Sequence, residues 1–146
     1  LVSGLGLISC GAQEAEKSTE PLRPYTAADT QAAGEVEIPS FVTSEAVNGY
    51  HFALKHPAVL KYMPCYCGCG LNQGHKSSLD CFITGMDSQG TVVFTDHANH
   101  CDICLEIARD AKNLLEQGKS LAEIRIYVDR VHGEKGPGTD TPSPKG

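Results

Sequence analysis

Six cysteines crowded between positions 65 and 104 constrain this chain more than any other feature. Cys65, Cys67 and Cys69 form C-x-C-x-C, Cys81 follows after eleven intervening residues, and Cys101 and Cys104 form C-x-x-C. In an extended strand, cysteines two apart point to opposite faces. Gly68 lifts that restriction, because glycine lets the backbone turn tightly between Cys67 and Cys69. Such a turn gathers three sulfurs around one centre, and Pro64 fixes the entry to it. A chain that needed only cross-links would have little reason to place half of these sulfurs within five residues.

The second group calls for a different argument. An apolar stripe of Ile103, Ile107, Ala111 and Leu114 predicts a helix from about His100 to Gln117, so Cys101 and Cys104 sit at its start. Three residues apart, their sulfurs share a face. Free amides and the positive dipole end of a helix stabilise thiolate there, the form that binds soft metals and attacks disulfides.

Three uses compete. Structural disulfides are one, the number of cysteines being even. A bond between cysteines two apart would be strained, so the trio would have to pair with Cys81, Cys101 and Cys104. Thiol–disulfide chemistry or thiol carriage at Cys101 and Cys104 is another. The favoured use is binding of a soft metal by clustered thiolates, with Cu(I) ahead of Zn(II). The candidate ligands are Cys65, Cys67, Cys69, Cys81, Cys101 and Cys104, joined by the neighbouring His75, His97 and His100. His51 and His56 are expected to face solvent, Met63 to fill the core and Tyr66 to pack.

The remaining chain supplies a modest frame. Thr43 or Ser44 caps a first helix carrying Val47, Tyr50 and Leu54, and Pro57 opens a short helix to Met63. Gly118 ends the long helix. Ser120-Leu121-Ala122-Glu123 then reads as a capping box for a last helix with Leu121, Ile124, Val128 and Val131 inward. Thr91–Phe94 pairs with Phe82-Ile83 across a turn at Asp87–Gly90. The expected fold class is mainly α, a small three- to four-helix domain over residues 41–132, with an irregular Cys/Gly-rich loop and one short β-hairpin. The loop should lie against the start of the long helix. Residues 10–40 read as a flexible tether and 133–146 as a disordered tail, both being polar, Pro/Gly-containing and aperiodic.

A net charge of −6 with no basic stripe argues against nucleic acid as a partner. The sequence has no Ser-His-Asp spacing, phosphate-cradling Gly loop or HExxH helix, so a hydrolase is not expected.

Three resemblances add to this. The run Leu7-Ile8-Ser9-Cys10-Gly11 resembles the lipobox of bacterial lipoproteins. That likeness implies a signal-peptide remnant over residues 1–9, lipid on Cys10, and anchorage to a membrane on the extracytoplasmic side of a bacterial cell envelope. A metal-donor or acceptor protein would be the natural partner there. Pro64-Cys65-Tyr66-Cys67-Gly68-Cys69, followed by Gly74 to Phe82, is similar to the bacterial family named for its PCYCGC motif, largely lipoproteins without a known activity. A weaker likeness runs from Cys104 through Gly118-Lys119-Ser120, Glu123-Ile124 and Tyr127 to His132-Gly133. It resembles the C-x-x-C helical subunit of cytochrome c haem-ligation systems, which handles apocytochrome thiols. It implies a three-helix fold and not that activity, since four further thiols have no part in a two-cysteine mechanism.

Overall fold

The structure is a computed structural model that describes residues 20–32 and 34–145. The signal-peptide remnant expected at 1–9 and the lipidation expected at Cys10 lie outside the described residues. The fold is a small, mainly helical domain. Its three longer helices are α2 (Val47–Lys55), α5 (Asp102–Glu116) and α6 (Leu121–His132). Single-turn or short helices are α1 (Ala27–Ala32), α3 (Pro57–Leu60) and α4 (Cys69–Asn72). Two 3-10 turns, Ser78–Cys81 and His97–His100, flank an antiparallel hairpin of β1 (Ile83–Met86) and β2 (Val92–Phe94). No helix among the described residues is long and apolar enough to cross a membrane.

Local chemistry accounts for several of these boundaries. Ser120 accepts from the Glu123 amide while the Glu123 carboxylate accepts from the Ser120 amide, so two otherwise unpaired donors at the start of α6 are satisfied. Gly118, at φ +78°, takes the left-handed conformation that stops α5. In the hairpin turn the Asp87 carboxylate accepts from the Gln89 and Thr91 amides. The register pairs Ile83 with Phe94 and Met86 with Val92, with an irregularity between Ile83 and Gly85.

The core forms where α2, α5, α6 and the hairpin meet. Tyr50 packs edge-on against Phe82, ring centroids 5.2 Å apart, and its hydroxyl donates to the Thr95 carbonyl at 2.6 Å. Leu60, Met63, Ile83, Ile107, Ile124 and Val128 are buried around them. On α5 the buried face is Cys104, Ile107, Ala108 and Ala111. Ile103 and Leu114 are only half-buried at its margin, so the stripe is centred closer to Cys104 than the sequence suggests. On α6 Val131 is exposed and His132 is buried in its place. Ile124, Val128 and His132 recur at every fourth residue along one face, and Val131 falls off that line. The His132 Nε2 lies 2.9 Å from Asp110 on α5, which supplies the polar partner an imidazole needs inside.

The described parts of both terminal segments contact the domain. Arg23 exchanges backbone hydrogen bonds with Met86 at 3.0 and 2.8 Å, adding one bridge to the edge of the hairpin. Tyr25 is buried, and its hydroxyl donates to the Leu54 carbonyl at 3.1 Å. Asp29 is held by a two-pronged contact from Arg23 and by the Thr26 hydroxyl and amide, which lower its pKa. At the other end Thr139 and Thr141 are buried, and Arg125 of α6 donates to the Tyr62, Thr141 and Pro142 carbonyls. These segments lack apolar periodicity because they are fixed by backbone pairing and single side chains.

Candidate metal centre

Four different elements deliver the sulfurs. Pro64 and Cys65 leave the short α3 region as irregular chain, and their backbone is tied on both sides. Ser78 donates its hydroxyl to the Pro64 carbonyl at 2.9 Å and its amide to the Met63 carbonyl at 2.8 Å. Thr139 accepts from the Cys65 amide at 2.9 Å through its hydroxyl, and its own amide donates to the Cys65 carbonyl at 3.0 Å. The C-terminal segment is thus a strap over the motif. Tyr66 points away and donates to Asp129 of α6 at 2.7 Å. Gly68, at φ +84°, makes the left-handed turn that brings Cys69 back beside Cys67 as α4 begins.

Cys81 closes the 3-10 turn Ser78–Cys81, which is set by a capping box of Ser77 and Asp80. Cys101 is the N-cap residue of α5, and Cys104 stands in its first turn. His97 opens the preceding 3-10 turn, and His75 precedes the Cys81 turn. Both imidazoles are half-buried, with rings 5.1 Å apart.

The Sγ atoms of Cys65, Cys67, Cys81 and Cys104 all lie within 4.8 Å of one another. The separations are 3.0 Å for Cys65–Cys67, 3.4 Å for Cys65–Cys104, 3.5 Å for Cys65–Cys81, 3.0 Å for Cys81–Cys104 and 3.9 Å for Cys67–Cys104. Around a tetrahedral zinc with Zn–S bonds near 2.3 Å, neighbouring sulfurs would stand about 3.8 Å apart. The quartet is therefore close to the size of a four-coordinate thiolate site. Cys65, Cys81 and Cys104 are fully buried within it.

Two further groups adjoin the quartet. Cys101 and His97 gather with Cys67 and Cys104, and Cys69 gathers with His75 and His97. Cys69 Sγ is 2.8 Å from His97 Nε2, and Cys81 Sγ is 3.5 Å from His75 Nδ1. Eight of the nine candidate ligands read from the sequence are thus in one place. His100 is the exception: it is exposed at the end of its turn and belongs to none of these groups. Thr139 and Ser78, which hold the loop, carry no signal in the sequence, because each acts on backbone atoms far along the chain.

The oxidation state is not the one a purely structural use of the cysteines would require, in which the trio pairs with Cys81, Cys101 and Cys104. Cys67 and Cys69 are joined as a disulfide, and Cys65, Cys81, Cys101 and Cys104 are free thiols. The turn at Gly68 is what puts the two neighbours on the same side.

Electrostatics within the cluster are uneven. The Cys65 thiol is pulled down to about 3, first by hydrogen bonding from the Cys104 thiol and then from Cys81. Cys104 is pushed up, its hydrogen bonds to the Cys101 and Cys65 sulfurs leading. For Cys81 the downward pull of Cys104 is outweighed by the Cys65 sulfur and by burial. Cys101, half-exposed, is drawn down to about 6 by the Cys104 thiol and the Cys104 amide, against the opposing effect of burial. Burial, and then His97, lower the pKa of His75. The buried quartet thus favours one thiolate at Cys65 and resists further charge. Gathering several thiolates at this depth takes a bound cation.

No curated protein and no solved structure matches the chain. A family model does, over residues 1–144, and its description is a protein of unknown function with a PCYCGC motif. A disulfide-bridged Cys-x-Cys turn, a buried thiol set and a strap over the motif are therefore features of a chain that belongs to the PCYCGC family.

Proposed function

We infer that this is an extracytoplasmic lipid-anchored protein that binds a soft metal ion, Cu(I) or Zn(II), for sequestration or transfer. The observation that carries this reading is the quartet of Cys65, Cys67, Cys81 and Cys104, whose sulfur spacing suits a four-coordinate soft ion. Zinc would use all four sulfurs; Cu(I) is satisfied by fewer and fits the same set. Four thiolates on a divalent ion leave a net charge of −2, far less costly to bury than four bare thiolates. The membrane partner follows from lipid on Cys10, and a metal-donor or acceptor protein from the transfer role.

Cys67 is a ligand only when its disulfide with Cys69 is open. Opening takes two electrons and two protons from a dithiol reductant and leaves two thiols, while the reductant becomes a disulfide. Loading should therefore depend on oxidation state. Full-length protein reduced under anaerobic conditions should retain Cu(I) or Zn(II) through gel filtration in a weak chelator. Protein oxidised at Cys67 and Cys69 should lose most of it. Equal retention in both states would rule out Cys67 as a ligand, and no retention in either would remove the metal-binding reading.

A further inference from the structure

A single four-coordinate ion leaves part of this cluster unused. The quartet takes Cys65, Cys67, Cys81 and Cys104, and the group of Cys69, His75 and His97 shares no residue with it. These three donors also lie within 4.8 Å of one another, with Cys69 Sγ and His97 Nε2 2.8 Å apart. Their setting differs from that of the quartet. Cys69 is buried but both imidazoles are half-buried, so the imidazoles face the outer side of the cluster, whereas three of the quartet's four cysteines have no exposed surface.

We propose that the reduced protein binds a second metal ion at Cys69, His75 and His97, making a two-ion centre with unlike sites. This rests on the reading of the quartet as a metal site. Charge favours the pair. A divalent ion on four thiolates carries −2, while the same ion on one thiolate and two neutral imidazoles carries +1, so the two sites attract across a short distance. Three protein ligands also leave a fourth position open to water or to an incoming ligand, the arrangement of an exchangeable site rather than a closed structural one. The outer site is thus where an ion enters or leaves, and the inner one is where it is kept.

Zinc counting by native mass spectrometry of the reduced, full-length protein tests this. Two zinc ions per chain are expected for the parent protein and one for the His75→Ala/His97→Ala double variant. In the parent protein, long-range proton–nitrogen NMR should show the His75 and His97 ring nitrogens shifting mainly with the second equivalent. That reading does not depend on the variant's folding. One zinc in the parent protein, or a second zinc that leaves both imidazoles unshifted, would overturn the second site while the inner one stands. No zinc at all would overturn both.

Discussion

Loading the reduced protein with zinc should raise its melting temperature by about 15 °C. A ligand present at a thousand times its dissociation constant stabilises the native state by about 4 kcal/mol, and a domain of this size gains roughly 3–5 °C per kcal/mol. The structural grounds are specific. The sulfurs come from the PCYCGC loop, the Cys81 turn and the first turn of α5, so one ion cross-links three parts of the chain. Scanning calorimetry of apo and loaded protein, both reduced, reads the shift directly. A change of under about 3 °C would mean that the ion binds outside this framework.

Cys104→Ser should weaken binding of the first ion by roughly 150-fold. Structural zinc sites with four ligands have apparent binding free energies of about 10–16 kcal/mol, so one ligand of four accounts for about 3 kcal/mol. A hydroxyl is a poor replacement for a thiolate on a soft ion. Cys104 is fully buried and hydrogen-bonded to Cys65 and Cys81, whereas the spare thiol nearby, Cys101, stands half-exposed at the N-cap. Cys101→Ser, at the half-exposed N-cap of the same helix, is outside the quartet and should leave the first equivalent's affinity nearly unchanged. Competition with a chromophoric chelator measures both, with far-UV circular dichroism to show that each variant is folded. Equal losses from the two variants would point to the C-x-x-C pair as the binding unit instead.

The parts of this architecture that follow local rules were legible in the sequence. The Ser120 capping box, the Gly118 stop and the Asp87–Gly90 turn each depend on residues within four positions of one another, and each is found. The gathering of the cysteines was legible too, because Gly68 and the first turn of α5 direct sulfurs locally. What escaped the sequence is non-local. Thr139 reaches the backbone of Cys65, and Arg23 pairs with Met86, through groups that every polar segment carries. His100 looked equivalent to His97 by proximity, yet it closes the 3-10 turn in solvent while His97 opens it beside Cys69. Val131 and His132 show the limit of pattern reading. The four-residue recurrence at Ile124 and Val128 favours position 132, but a histidine is not counted as apolar until Asp110 is seen to satisfy it.

The strap formed by Thr139 and Thr141 links the fold to the site. It fixes both backbone groups of Cys65, whose sulfur stands beside three others. A segment without helix or strand thus decides where the Cys65 sulfur stands.

The central claim is that a soft ion sits among the sulfurs of Cys65, Cys67, Cys81 and Cys104. X-ray absorption at the zinc edge, on reduced protein carrying one equivalent, tests it most directly. The account expects a first shell of four sulfurs at about 2.3 Å. A shell dominated by nitrogen or oxygen at about 2.0 Å would contradict it.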